Sequence, residues 1–425
     1  MNDRRAIPMA ALQRADKLLG AVCCALLQPL RWVRARGGPR PDSRKVLSMK
    51  FWGIGSLQML TPAARSLRSR HPGAELVFLT LASNRQCAEG LDVFDRVLTL
   101  DVSGGGWWRV FGRILTLVRT LRRERFDAVY DFEFFTRFSA VIGFLTGAPR
   151  RHGFASTRVW RGGLHTHEVP FNRYWHVARN FRVLAGVDDG LNVTAQDVVP
   201  HRVTEQDELR VGELLAAEGL APGTPYAVLN PNAGTLSLER RWPAAMFADL
   251  ASRLLREDDL AVVLIGSGAE REYTEGVRLL AEATPGERLA NLAGSVTTGG
   301  LAALLRDAAV VVSNDSGPMH LSAALGAPTV GLFGPETPVM YGPLGLRALA
   351  LYRPPPCSPC INVHDNKVAS CIYGRPECLV NLPVDEVHEA LRALRRGDVF
   401  ELGGPSPATA QAGRTSPDDR PSEAH

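Results

Sequence analysis

The sequence predicts an α/β protein of two doubly wound, parallel-sheet domains facing a central cleft. Three observations predict it. From Lys45 onward, short apolar runs alternate with helix-length amphipathic runs, the pattern of βαβ units. A polar stretch, Asp188–Pro225, separates two such blocks. The length of 425 residues suits two domains plus extras at roughly 150 residues per domain.

In the first block Val46–Phe51, Glu75–Leu81, Arg96–Leu100 and Phe126–Phe132 read as strands. Trp107–Glu124 has helical apolar spacing through Val110, Ile114, Leu117 and Leu121, and Phe138–Leu145 and Asn172–Gly186 read as further helices. The junction holds an acidic helix near Glu205–Glu218. In the second block Tyr226–Leu229, Ala261–Ile265, Val310–Ser313 and Thr329–Phe333 are expected strands. Ala244–Leu255, Glu270–Ala283, Gly300–Arg306 and Val387–Arg396 are expected helices. The expected division is a leader over 1–43, a first domain over 44–190, a linker and second domain over 191–400, and a disordered tail over 401–425, rich in Pro, Gly and Ser.

Hydrophobic residues make up 45% and charged residues 22%, a globular composition. The formal charge is +5, but its placement matters more. Residues 1–45 hold ten Lys/Arg against three Asp, so the remainder sums to about −2. A nucleic-acid binder carries its basic patch on the folded domain, so no nucleic-acid partner is expected. The leader's apolar run, Leu18–Leu27, is about half a membrane span. Arg14 and Lys17 precede it, and Trp32, Arg31, Arg34 and Arg36 follow it. This favours an amphipathic segment on an anionic membrane surface over a packing helix. No small-x-small cleavage site follows, against a signal peptide. The seven cysteines form no small secreted disulfide framework. The expectation is a cytoplasmic protein, peripheral on the inner face of the cytoplasmic membrane.

In doubly wound domains, ligands bind at the carboxyl ends of strands, where loops meet helix starts. One such loop is Ser313-Asn314-Asp315-Ser316-Gly317-Pro318-Met319-His320. Asp315 or Ser316 can cap the next helix, Pro318 suits its first turn, and Gly317 lets a ligand approach the backbone. Free N–H groups and the helix dipole then suit a diphosphate, with His320 alongside. An unliganded, well-capped helix would read the same way. Around the loop stand Gly326-Ala327-Pro328, Asn230-Pro231-Asn232, Arg240-Arg241-Trp242-Pro243 and Ile265-Gly266-Ser267-Gly268 with Glu270.

With these motifs in this order, residues 45–392 resemble glycosyltransferase family 9, the ADP-heptose:lipopolysaccharide heptosyltransferase family. The resemblance implies a GT-B fold of two Rossmann-like domains. It implies an inverting glycosyltransferase, with an ADP-heptose-like donor and a lipopolysaccharide or other lipid-linked envelope glycan as acceptor. It places Asp315, Ser316, Gly317 and His320 on the donor, Arg240 on its phosphates and Glu270 near its ribose. No metal is required, because oriented N–H groups and Arg240 can stabilise the leaving diphosphate. Two alternatives are a GT-B nucleotide-sugar epimerase and a non-catalytic nucleotide-sugar binder.

The family's first loop ends Gly-Asp, and that Asp is the expected base. Here the loop reads Phe51-Trp52-Gly53-Ile54-Gly55-Ser56, with Ser56 in the acidic position. Two acids close the strand Phe126–Phe132, so Glu133, or else Asp131, is the expected substitute base. The neighbours Phe132, Phe134 and Phe135 would raise its pKa, and an ion pair is the competing reading. Cys357, Cys360, Cys371 and Cys378 offer a structural zinc, a disulfide pair or buried free thiols, and the spacing leaves all three open.

Overall fold

A computed structural model describes residues 11, 14–30, 43–104, 106–134, 136–156, 158–187, 192–234, 237–281, 288–361 and 370–397. Trp32, Arg31, Arg34, Arg36, Phe135, the acidic pair at 188–189 and the tail from 401 lie outside them.

The first sheet contains β1 (Lys45–Met49), β2 (Glu75–Leu81), β3 (Arg96–Leu100), β4 (Ala128–Asp131), β5 (Arg150–Ala155) and β6 (His167–Pro170). Its order is β3-β2-β1-β4-β5-β6, parallel throughout. The second contains β7 (Tyr226–Asn230), β8 (Ala261–Leu264), β9 (Leu289–Asn291), β10 (Val310–Asn314), β11 (Thr329–Phe333) and β12 (Ala348–Tyr352). Its order is β12-β11-β10-β7-β8-β9, again parallel. Strand order reverses at β1/β4 in one sheet and at β7/β10 in the other. Loops at such switch points form the ligand crevice.

Helices α1 (Ala21–Leu27), α2 (Ile54–Arg70), α3 (Arg85–Gly90), α4 (Gly106–Glu124), α5 (Arg137–Leu145) and α6 (Val177–Leu184) accompany the first sheet. The chain crosses through α7 (Glu205–Ala217), whose Thr204 and Asp207 form a capping box. Around the second sheet lie α8 (Ala244–Arg256), α9 (Arg271–Leu280), α10 (Thr298–Arg306), α11 (Gly317–Ala324), α12 (Pro338–Tyr341), α13 (Glu377–Val380) and α14 (Val384–Arg396). Strands covered on both faces read as unbroken apolar runs, which is why β2, β7 and β11 are visible in the sequence. Four strands, β5, β6, β9 and β12, fall outside the expected set, and β5 and β6 show why. Arg150, Arg151 and His152 interrupt one, and the other is an edge strand with His167, Glu168 and Pro170 exposed. The helix expected over Asn172–Gly186 begins only at Val177, where His176 caps it by accepting from the Ala178 amide.

One apolar cluster joins the halves, uniting Phe132 and Phe181 with Met319 and Tyr341. His176 Nε2 adds a polar contact across the junction, donating to the Gly342 carbonyl at 3.0 Å.

The leader is docked. Its π-helical turn Asp16–Gly20 runs into α1. Asp16 accepts from the Arg137 and Phe138 amides at 3.2 and 2.6 Å, capping α5, whose own Thr136 does not. Cys24 and Leu27 pack against Phe144 and Leu145 farther along the same helix. The leader segment is therefore a packing helix on one face, while Leu18, Leu19, Val22 and Leu26 face out on the other.

Candidate active site

The loops after β7 and β10 meet at the second switch point. Asn230 ends β7 and donates to the Ser313 and Ser316 hydroxyls at 2.9 and 2.8 Å. Arg240 donates to the Asp315 carbonyl at 2.8 Å, reaches its carboxylate at 3.3 Å, and donates to the Ala233 carbonyl at 2.6 Å. The structure thus brings Arg240, Asp315, Ser316 and His320 to the start of α11. That helix starts at Gly317, with Pro318 in its first turn. Ser316 stands at the N-cap, but neither it nor Asp315 caps with its side chain. Neither side chain therefore takes the first-turn N–H groups, an arrangement that suits an anion.

Glu270 takes a local role. One carboxylate oxygen closes a capping box with the Ser267 amide and hydroxyl at 3.0 and 2.7 Å, and the other lies 3.7 Å from Arg241. Arg241 stacks on Tyr273 at 4.0 Å. Asn230, Arg241 and Tyr273 were missed in the sequence. Asn230 was legible as a polar residue closing an apolar strand, whereas the Arg241–Tyr273 stack joins segments that spacing does not connect.

The first loop reaches this site from the other sheet. Gly53 holds a positive φ of 84°, and α2 starts after it without a side-chain cap. A Cβ on Gly55 would lie 2.5 Å from His320 Cδ2 and 3.3 Å from Gly317 Cα. A Cβ on Gly317 would lie 3.3 Å from Ile54 Cβ and 3.4 Å from the Gly55 amide. Two uncapped helix starts, one from each sheet, therefore meet across the cleft with only glycine between them.

Glu133 and Asp131 sit behind this loop in a setting unlike that of the expected base. Glu133 Oε1 accepts from Lys50 Nζ at 3.1 Å, from the Trp52 amide at 3.0 Å and from the Phe51 amide. Lys50 also donates to the Trp52 carbonyl at 3.2 Å and lies 4.7 Å from the Phe134 ring centroid. Asp131 Oδ2 accepts from Ser139 Oγ at 2.7 Å and from His165 Nε2 at 3.1 Å, with Arg161 at 3.8 Å, while Oδ1 accepts from the Glu133 amide. Burial, then Arg161, pushes His165 below the usual imidazole range. Both carboxylates are fully buried and engaged. Glu133 Oε1 thus holds three hydrogen bonds at once, from an ammonium and two amides. Glu133 therefore sits in an ion pair with Lys50.

The four late cysteines are free thiols. Burial pushes Cys378 up to about 11, and Cys371 donates to the Arg375 carbonyl at 2.8 Å. Among the described residues no group of three or more His, Cys, Asp or Glu side chains is placed to hold a metal ion.

Known proteins agree with this picture. The family model described as glycosyltransferase family 9 (heptosyltransferase) matches residues 114–369. Lipopolysaccharide heptosyltransferase 2 of Escherichia coli K12 is 26% identical over 362 residues, covering 82% of this chain and 98% of that protein. Lipooligosaccharide heptosyltransferase 2 of Haemophilus ducreyi is 32% identical over 322 residues, covering 72% and 88%. The solved structure of E. coli ADP-heptose LPS heptosyltransferase II aligns with TM-score 0.64 and 24% identity over 83% of this chain and 99% of that one. A family 9 glycosyl transferase from Veillonella parvula aligns with TM-score 0.67 and 21% identity over 84% and 98%. These structures share the two-sheet GT-B architecture. With a family match over most of its length and both switch points built in the same fold, the chain belongs to glycosyltransferase family 9, the heptosyltransferases, and is a glycosyltransferase.

Proposed function

We propose that this enzyme moves a heptose-like sugar, with inversion, from a nucleotide-diphosphate donor to a lipopolysaccharide or related lipid-linked envelope acceptor. The observation that carries the reading is the convergence of Arg240, Asp315, Ser316 and His320 on the uncapped start of α11, opposite the first loop. The relatives supply the chemistry: they are named for lipopolysaccharide and lipooligosaccharide heptosyl transfer, and the E. coli structures for ADP-heptose and ADP. The acceptor hydroxyl attacks the anomeric carbon, the bond from that carbon to the diphosphate oxygen breaks, and negative charge grows on the diphosphate. The α11 amides and Arg240 are aimed where that charge develops. Lys50 and Glu133 fix the backbone of the first loop that the acceptor must pass. They are positioning residues in this reading, as is Asp131 behind them.

The work site in this proposal is the inner face of the cytoplasmic membrane, with the leader's outward leucines against lipid. No helix among the described residues is long and apolar enough to cross a membrane.

The test incubates purified enzyme with a panel of nucleotide-diphosphate sugars and heptose-deficient lipopolysaccharide. Mass increase of the acceptor by one heptose supports transfer. An isomerised free sugar supports the epimerase alternative, and an unchanged bound ligand supports a binding protein.

A further inference from the structure

The leader is not the only apolar surface on the first domain. Helix α4 carries Trp107, Trp108, Phe111 and Leu115 on its outer side, and Trp108 is 88% exposed. The pattern is ordered. Trp108, Phe111 and Leu115 stand at helical spacing, and Arg119 and Arg122 continue the same stripe toward the C-terminal end. The opposite stripe, Val110, Leu117 and Leu121, fills the core. The outer stripe is thus apolar first and basic afterwards.

Its charge is one-sided. Glu124 is the helix's lone acid, and it is occupied by Lys45 and Arg96. Arg109, Arg119, Arg122 and Arg123 have no acidic partner among the described residues, whereas Arg113 pairs with Asp101. Unpaired arginines beside exposed tryptophans complement an anionic lipid surface: the rings suit the interface and the guanidinium groups suit the headgroups.

Placement strengthens the point. Helix α5 touches both α4 and α1. In parallel sheets each helix begins at the carboxyl edge of its strand, so α4 and α5 both start at the cleft edge. Asp16 binds the first amides of α5, so the leader begins at that edge too. Trp107 and Trp108 at the start of α4 and Leu18 and Leu19 in the leader's first turns therefore flank the same rim of the acceptor-side domain.

We infer that α4 is a second membrane-contacting element, and that with the leader it forms a bipartite dock for an anionic bilayer, turning the cleft rim toward the lipid in which the acceptor is anchored. The inference rests on the lipid-linked acceptor proposed above.

The experiment uses the full chain with phosphatidylcholine vesicles and with mixed phosphatidylcholine–phosphatidylglycerol vesicles. Substitution is preferred to truncation, because removing the leader also removes the Asp16 cap from α5. Wild type should sediment with the mixed vesicles only, and salt should weaken it. The variant Trp108→Ser/Phe111→Ser/Leu115→Ser should bind at least about tenfold more weakly, since burying each such side chain is worth a factor of that order. Arg119→Glu/Arg122→Glu should also bind more weakly and lose most of the salt dependence. Circular dichroism checks that the variants fold, and brominated lipid should quench wild-type tryptophan fluorescence more than that of Trp107→Phe/Trp108→Phe. Equal binding by wild type and both charge and apolar variants, or binding to neither vesicle, overturns the dock. So does capture of a protein partner by the ridge with no vesicle binding. Transfer to vesicle-embedded and to delipidated heptose-deficient lipopolysaccharide is then compared. A ridge variant that fails only on the embedded acceptor supports the dock. Vesicle binding without transfer to either acceptor leaves the dock standing and removes the acceptor reading instead.

Discussion

Lys50 and Glu133 meet at 3.1 Å just past the ends of the adjacent strands β1 and β4, with both side chains sealed from solvent. One oxygen of Glu133 serves the ammonium and two amides of the first loop at once. Removing one member of a buried pair strands the other charge and costs about 3–5 kcal/mol. Glu133→Gln is therefore expected to lower unfolding free energy by about that amount in urea titration. Replacing both members, Lys50→Met/Glu133→Leu, should recover much of the loss. If Glu133→Gln keeps its stability yet loses about 100-fold or more in kcat while chemistry limits the rate, the carboxylate is the base after all.

Arg240 already satisfies carbonyl and carboxylate oxygens at the start of α11, so a diphosphate would enter a site whose cation is in place. A hydrogen bond to a charged group contributes about 1.5–3 kcal/mol. Arg240→Ala should thus weaken nucleotide-sugar binding about 10- to 150-fold by calorimetry. Asp315→Ala and His320→Ala should each reduce affinity or turnover. Unchanged values in all three variants would remove the donor site from α11.

Ser56 stands one residue from Gly55, which touches the His320 ring. An aspartate there restores the acid that the family motif carries. Ser56→Asp should raise kcat with little change in donor affinity, the signature of a group acting in the transition state. A fall in kcat would show that this first loop is no longer set for that mechanism.

Several histidines are held neutral. Burial pushes His176 and His71 down to about 4, and His152 to about 3. The unfolded chain takes up these protons near the ordinary value of about 6.5, and the folded chain resists. Their contribution to stability is therefore complete above about pH 6.5 and is lost as pH falls through about 4. Thermal midpoints should drop over that window and flatten below it. His176→Gln should make the drop shallower, because its ring then no longer has to charge beside Ala178 and Gly342.

How much of this was legible depended on whether the signal was local. β2 and β11 could be read to the residue because apolar runs bounded by polar turns encode covered strands. The start of α11 was legible through Gly317 and Pro318, whose backbone chemistry is local. The roles of Glu133 and Asp131 were not. Their type and place at the end of β4 suggested a proton acceptor, with an ion pair as the competing reading. Their partners, Lys50, Ser139 and His165, come from other elements, and only the strand order brings them together. The leader's two faces were hidden for the same reason: Asp16 caps a helix 121 residues away in sequence.

The glycine contact between α2 and α11 also sets how far apart the two halves can be held by a single atom. A methyl at Gly317 would press on Ile54 and the Gly55 backbone, which cannot swing aside as a side chain could. Gly317→Ala would act as a shim, pushing its neighbours across the seam back by a few tenths of an ångström. Because Gly317 also stands where the donor approaches the backbone, the variant should lose donor affinity together with turnover.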